Sequence, residues 1–512
     1  MAITLYLIKP HPPRLIMERA CPLPEQYRYD WEPIALKHMA RTLIDVFGNS
    51  ITLRLWHLMD EQDDDRLLSA VAEDRPDIVA FSELDILVNE VSRLARAIKS
   101  LHPDVWTVVG GKQTSLLREG DRFPFTAIDH AIRGDGAAPL AALIRARAAG
   151  TGPVDLSGLI SVGADGNVAG ADSFSPRAEI RDLDGILLRT IPIEHHPLDE
   201  YIDRRQSYPG IHPQEPKTAP LFIGSGCSYA CYVCQSPIEY GDTSSKVLLR
   251  DPGSVAREIA WLGEHHGVNN VFSLEPNLNL RHLLEVYRLL EDHTREMPAI
   301  SGFIRAGDIV RAHDQGILAP LAAKGMRVLS IGLDLPIHTG RDIYNKAFTR
   351  NDMMDCLSIC RDLGILVLAT VIGNPDMDRA GFAEQLDLIA DLPVADMDIR
   401  LAIALRNTAY YAAVEKNLIR HPAREAAYFD CQNYRYQTIQ FPGKITPAET
   451  YELVHRFSEG YLLRPAHAAY VAAMVRDHPD TAPFFERQYG KAGTAGEHIP
   501  FEIREARAHA PD

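Results

Sequence analysis

Short apolar runs rich in β-branched residues alternate with amphipathic stretches from the start of the chain. ITLYLIK is followed by a helical pattern from Trp31 to Phe47, then ITLRLWHL, DIVAFS, a second helical pattern near Val88 to Ser100, VWTVVGG, and AIDHAIRG before another helix. This alternation predicts an α/β fold with a parallel, doubly wound sheet. The pattern weakens over residues 151–218, where GLISVGADGNVAG predicts a hairpin turning at Asp165-Gly166, and Pro, His and Asp accumulate up to PGIHPQEPKTAP. A second series then begins: PLFIGSG, NVFSLEP, AISGFIRA, RVLSIGLD, LVLATVIGN and ADMDIRLAIAL, with helical segments between them. Six strand-helix units predict a partial barrel. Beyond about Thr408 the pattern is mainly helical, with aromatics at Tyr410, Tyr411, Tyr428, Phe429, Tyr434 and Tyr436.

Four regions follow: a first α/β domain over 1–150, a connecting segment over 151–218, a partial (β/α)6 barrel over 219–407, and a helical region over 408–512. The last is expected to cover the open side of the barrel and help choose the substrate. A length of 512 residues agrees with more than one core. Acidic residues outnumber basic ones, 69 to 53, giving a formal charge of −16, and no dense Lys/Arg cluster is present, which argues against a nucleic-acid partner. No apolar run reaches the roughly 18 to 20 residues that span a bilayer, and MAITLYLIKPHPP lacks a basic flank and cleavage site. The expectation is a cytoplasmic protein without a membrane partner.

Five strands in about 135 residues suit a flavodoxin-like order, in which ligands bind at the carboxyl ends of the strands. Those ends carry Lys9 to Pro13, Ser82 and Glu83, then Gly110, Gly111, Lys112 and Gln113, then Gly134, Asp135 and Gly136. Small residues there let a large, flat ligand approach the backbone.

The segment GCSYACYVCQSP, directly after the first barrel strand, places Cys227, Cys231 and Cys234 at x3 and x2 spacing. Thiolates are the preferred ligands of iron-sulfur clusters, and three of them leave one iron of a [4Fe-4S] cluster open for the amino and carboxylate groups of S-adenosylmethionine. Zinc normally takes four protein ligands, and no matched second pair lies nearby. Cys356 and Cys360, four apart on one helical face, read as buried thiols or a second site; Cys21 and Cys431 read as buried thiols.

The cysteine spacing, its place after a first barrel strand, and the flanking Gly226 and Tyr229 resemble the radical S-adenosylmethionine superfamily. The resemblance implies S-adenosylmethionine contacts at Val233, Glu275, Asn277, Arg305 and Asp334, which follow or end the early strands. Each has a plain alternative as a helix cap or a polar residue after a strand. Lys346 and the GNPD segment at 373–376 also match family wording, although the latter lacks the usual Gly-Glu ending. A flavodoxin- or ferredoxin-type reductant is the implied partner.

A flavodoxin-like domain ahead of such a barrel is similar to the cobalamin-binding subgroup of that superfamily, and DIVAFS, VVGGKQTS and HAIRGDGAAP match its strand ends. The implied cobalamin contacts are Ser82, Glu83, Gly110, Gly111, Lys112, Gln113, Gly134, Asp135 and Gly136. Among 20 histidines none lies in an Asp-x-His-x-x-Gly motif, so the expected corrinoid has water or nothing below cobalt. The resemblance implies a cobalamin-dependent C-methyltransferase acting on an unactivated carbon of a small molecule, through a 5′-deoxyadenosyl radical and methylcobalamin. Alternatives are cyclisation or rearrangement in the same cofactor setting, tRNA methylthiolation, which asks for three further cysteines in the first domain, and a non-catalytic cofactor-binding or electron-transfer role. The first domain also admits flavin, nucleotide or no cofactor.

Overall fold

The structure is a computed structural model. It describes residues 2–491 apart from 12–30, 84–87, 153–155, 163–165, 171–172, 178–179, 181–182, 204–216, 237, 239–245, 334–348, 375, 402–407, 410 and 413–442. The Asp165 turn position, Asp334, Lys346, Cys21, Cys431 and the aromatics named above other than Tyr411 lie outside the described residues.

Strands β1 (Ile3–Lys9), β2 (Ile51–His57), β3 (Ile78–Glu83), β4 (Trp106–Gly111) and β5 (His130–Ile132) form a parallel sheet in the order β2-β1-β3-β4-β5. That is the flavodoxin-like order expected from the alternation. Both faces are covered because β1 is apolar on both: Leu5 and Leu7 pack with Leu36, Ala40 and Leu43 of the helix Ile34–Phe47, while Tyr6 and Ile8 join the core beneath the helices Glu61–Asp74 and Val88–Leu101. The segment after residue 150 is more than a connector. Its strands β6 (Leu159–Val162) and β7 (Val168–Ala169) extend the sheet antiparallel from β5, giving seven strands.

A second, fully parallel sheet follows the order β8 (Thr218–Leu221), β11 (Asn270–Ser273), β12 (Ala299–Arg305), β13 (Val328–Gly332), β14 (Leu366–Gly373) and β15 (Asp396–Leu401). Between β8 and β11, the short strands β9 (Gly224–Ser225) and β10 (Leu248–Leu249) pair antiparallel and close the base of the cysteine loop. Val271, Ile300, Leu329, Ile331, Val367, Ala369, Val371 and Ile399 face the surrounding helices. The alternate residues Phe272, Phe303, Ser330, Leu368 and Thr370 therefore face the lumen. Local signals start the helices: Asp251 accepts the Ser254 N–H at 2.7 Å ahead of Pro252, and Thr349 with Asp352 forms a capping box before Arg350–Asp362.

The last two described helices pack at one end of the barrel. Val328, Leu366 and Ala395, at the beginnings of their strands, form one apolar cluster with Tyr470, Val471, Met474, Phe484 and Phe485 of the helices Pro465–Asp477 and Ala482–Lys491. These two helices thus close the lower end of the barrel, away from the cysteine loop, while the helix Pro447–Tyr461 joins the main barrel core through Phe457 and Tyr461. The starts of these strands are apolar and must be covered, which draws the aromatics there.

The two sheets are joined by buried charge. Glu32 pairs with Lys37 at 2.6 Å and with Arg189; Arg189 reaches Glu258 at 2.7 Å, and Arg250 meets the other oxygen of Glu258 at 2.6 Å. Arg250 also donates to the Phe222 carbonyl at 2.7 Å and Arg189 to that of Pro220. These side chains are almost wholly buried, so removing one carboxylate would strand cations in a medium that solvates them poorly. Nearby, Trp31 stacks on Phe272 with ring centres 5.5 Å apart, placing an aromatic of the first unit against the barrel lining. Among the described residues no helix is long and apolar enough to cross a membrane.

Candidate functional site

The carboxyl ends of both sheets meet across a cavity of about 380 Å3. On one side it is lined by Ser82, Gly110, Gly111, Lys112, Gly134, Asp135 and Gly136, and on the other by Phe222, Gly224, Ser225, Gly226, Ser236, Leu274 and Pro276. Its floor is apolar, formed by Leu7, Ala80, Val108, Ile132 and Leu140 between the first sheet and the helices Ile34–Phe47 and Ala137–Ala149. Seven of the nine residues expected to contact cobalamin border this space. The other two lie behind it: Glu83 is buried and accepts the Thr114 N–H at 2.7 Å and its hydroxyl at 3.2 Å, while Gln113 is only 2% exposed. Gly111, at φ 144°, passes so close to the Glu83 carbonyl that a Cβ would collide with it. The cavity suits a broad ligand with an apolar appendage, and the glycine rim suits close backbone approach.

The cysteine loop is held from several directions. Gly226, at φ 94°, turns the chain where a Cβ would strike the Lys246 carbonyl and the Arg177 guanidinium. Arg177 in turn donates to that carbonyl, tying the connecting segment to the loop. Cys227, Cys231 and Cys234 are partly exposed and stand outside any disulfide. Cys234 closes a turn through its N–H to the Cys231 carbonyl at 3.1 Å, and its sulfur accepts the Ser236 N–H at 3.4 Å. Burial raises the Cys227 thiol above its ordinary pKa, opposed by the Tyr229 N–H, and Cys234 and Cys231 add to the rise.

Among the described residues no three His, Cys, Asp or Glu side chains converge on a point suited to one metal ion. Three partly exposed thiols in one short loop are the donor chemistry of an iron-sulfur cluster, so the residues present fit such a group.

Behind the loop, Asp308 accepts from the Tyr229 hydroxyl at 2.5 Å, from Asn277 at 2.9 Å and from Arg311. The Asn277 side chain accepts the Arg305 N–H at 3.0 Å, and the Arg305 guanidinium lies 3.7 Å from the centre of the Tyr229 ring. Burial, then the Asp308 contact, pushes the Tyr229 phenol up and keeps it protonated as a donor. Arg305 and Asn277 are therefore brought to the cluster loop, whereas Val233 sits partly buried within it. Glu275 is 4% exposed; one oxygen accepts the Gly224 N–H and the other is orphaned. Desolvation pushes its carboxyl up to about 8. It does not line the cavity and secures the strand that leads into the loop.

Sequence reading missed several contributors. His38 and Met39 line the cavity from the helix Ile34–Phe47, Arg177 reaches it from the connecting segment, and Asp308 gathers the Tyr229 network. Only Asp308 carried a signal, lying three residues beyond Arg305. Cys356 and Cys360 are buried in the barrel core, away from the loop.

A B12-binding domain matches residues 23–144. The relatives and solved structures to which this chain is similar include cobalamin-dependent radical S-adenosylmethionine enzymes. It is similar to the anaerobic magnesium-protoporphyrin IX monomethyl ester cyclase of Rubrivivax gelatinosus, 24% identical over 70% of this chain and 61% of that protein. It is equally similar to the hopanoid C-3 methylase of Methylococcus capsulatus, 24% identical over 69% of this chain and 62% of that one. The chain thus spans about three fifths of the length of these relatives. In fold it resembles the radical S-adenosylmethionine methyltransferase TsrM of Kitasatospora setae, solved with cobalamin and a [4Fe-4S] cluster, over the whole of both chains with a TM-score of 0.66 at 18% identity.

Proposed function

We propose that this chain is a cobalamin-dependent radical methyltransferase that adds a methyl group to an unactivated carbon of a small molecule. The observation that carries the reading is the shared cavity, which has the glycine rim of the B12-binding domain on one wall and Gly226 and Ser236 of the cysteine loop on the other. When bound, cobalamin supplies the methyl group, while the cluster and S-adenosylmethionine supply the radical that opens a carbon-hydrogen bond.

The chain's own residues hold and exclude. Cys227, Cys231 and Cys234 ligate the cluster. Gly110, Gly111, Gly134 and Gly136 admit the corrinoid to backbone contact, with Ser82, Lys112 and Asp135 at its rim. Tyr229, Asn277 and Arg305 orient S-adenosylmethionine beside Val233. Arg177 and Phe222 keep water from the space between the two sites, where a short-lived radical must meet one partner. Glu275 acts by fixing Gly224. A small one-electron carrier protein serves as reductant.

A second reading, cyclisation or rearrangement without methyl transfer, is favoured by the equal similarity to a cyclase. Anaerobically reconstituted protein titrated with hydroxocobalamin separates these readings. Corrinoid retained near one per chain after desalting, with S-adenosylhomocysteine formed beside 5′-deoxyadenosine under reduction, is the expected result. Retention with 5′-deoxyadenosine alone favours the second reading, and loss of all corrinoid on desalting removes both.

A further inference from the structure

The helix Ile34–Phe47 contributes Ile34, Ala35, Leu36, His38 and Met39 to the lining of the shared cavity, and His38 is the polar member of that set. Its neighbours turn elsewhere: Lys37 into the buried pair with Glu32, and Met39 onto Gly136, where an added Cβ would lie 2.7 Å from the Met39 methyl carbon. The His38 ring faces the other wall, its centre 6.2 Å from that of Phe222. Among the described residues neither of its ring nitrogens takes a hydrogen bond. Burial lowers the imidazole below its ordinary pKa, with the Asp135 carboxylate of the rim opposing and Arg250 assisting, so the ring is neutral and carries one N–H donor and one lone pair.

A half-buried polar ring that meets no protein partner costs free energy unless a ligand or water completes it. Its place in the cavity indicates which part of a ligand that is. A corrinoid has three chemically distinct parts: a flat ring, a flat aromatic base, and between them a polar linker of ribose and phosphodiester. The cavity repeats that division. The glycine rim admits the ring, the apolar floor of Leu7, Ala80, Val108, Ile132 and Leu140 suits the base, and the helix wall bearing His38 and Met39 meets the rim at Gly136. Linker oxygens are acceptors, and an N–H offered to them in a recess that excludes water is worth more than the same contact in solvent. A site built around such a contact discriminates against analogues that lack the acceptor.

We propose that His38 determines which corrinoids this chain accepts: its ring N–H donates to the ribose-phosphodiester linker, so corrinoids that carry a nucleotide tail are held more tightly than those without one. The contact is a hydrogen bond, and no covalent bond is made or broken. The inference rests on the cobalamin reading given above and not on methyl transfer.

The test measures corrinoid dissociation constants by visible difference spectra on anaerobically reconstituted protein. Three corrinoids are compared: hydroxocobalamin; cobinamide, which lacks both linker and base; and p-cresolylcobamide, which keeps the linker and exchanges the benzimidazole for a phenol. His38→Phe keeps an aromatic ring against Phe222 and removes the N–H. It should weaken hydroxocobalamin and p-cresolylcobamide about tenfold each and leave cobinamide within about twofold, with iron content as in the parent. His38→Gln, which restores an N–H donor, should recover most of the loss. A purely structural role weakens all three alike; that result, or no change in any of them, overturns the proposal. So does weakening of hydroxocobalamin alone, which would make the base the partner. Loss of a nitrogen splitting from the cob(II)alamin EPR spectrum in His38→Phe also overturns it, by putting the imidazole on cobalt. A parent that retains none of the three removes the cobalamin reading itself, whereas a parent that binds them and is matched by His38→Phe removes this inference alone.

Discussion

The two walls of the shared cavity are built by opposite means. The first sheet makes its wall by leaving side chains out: Gly110, Gly111, Gly134 and Gly136 expose backbone at the strand ends. The barrel holds its wall from behind, with Tyr229, Asp308, Asn277, Arg305 and Glu275 bonded to the loop or to the strands that carry it. A wide, rigid ligand needs room and many weak contacts, whereas a small inorganic group needs a few directed ligands at fixed separations. Substitutions on the two walls should accordingly fail in different ways.

The sharpest break comes from Cys231→Ala. Iron and the visible absorption of the cluster should fall to background after reconstitution, while corrinoid retention stays near that of the parent. Loss of both would show that the walls are not independent.

Glu258→Gln strikes the junction instead of either wall. It leaves Arg189 and Arg250 without a shared carboxylate, and chemical denaturation should report a loss of about 3–5 kcal/mol. Corrinoid and iron should decline together as the sheets lose their mutual setting.

Glu275 offers a pH test. Its folded pKa, pushed up to about 8, stands above the ordinary carboxyl value of 4.5. Between those values the folded protein binds the extra proton, so stability is greatest below about pH 4.5 with respect to this group and falls as pH rises towards 8. The span is on the order of 5 kcal/mol at most. Glu275→Gln should remove this slope from the denaturation profile; an unchanged slope would assign the effect elsewhere.

The mildest effect is expected at Gly110, where a Cβ would meet Ile132 only at ordinary contact distances, 3.6 and 3.7 Å. Gly110→Ala should fold normally. Gly110→Leu should fill the cavity and weaken corrinoid binding about tenfold, roughly 1.4 kcal/mol, with iron content unaltered.

The same contrast explains what could be read in advance. Strand order and barrel followed from local alternation, because β1 and its successors are apolar on the faces they bury. Three cysteines within eight residues report their own proximity. The glycine rim was legible only as a set of turns, since it works through what each position lacks. Glu83 and Gln113, adjacent in sequence to rim residues, turn away from the cavity. The Glu32, Arg189 and Glu258 network was invisible: its contacts join residues 157 and 69 positions apart, and nothing local distinguishes a buried charge from a solvated one. The packing of the helices Pro465–Asp477 and Ala482–Lys491 on the strand starts was equally illegible, because hydrophobic patterning does not say which end of a barrel a helix will cover.

That placement gives the barrel a corked base. Tyr470, Met474 and Phe485 stopper the strand starts, so among the described residues nothing drains from the lumen at that end. A vessel sealed beneath keeps its contents on the side where the cysteine loop lies, and a guest lodged deep in it rests on a fixed floor.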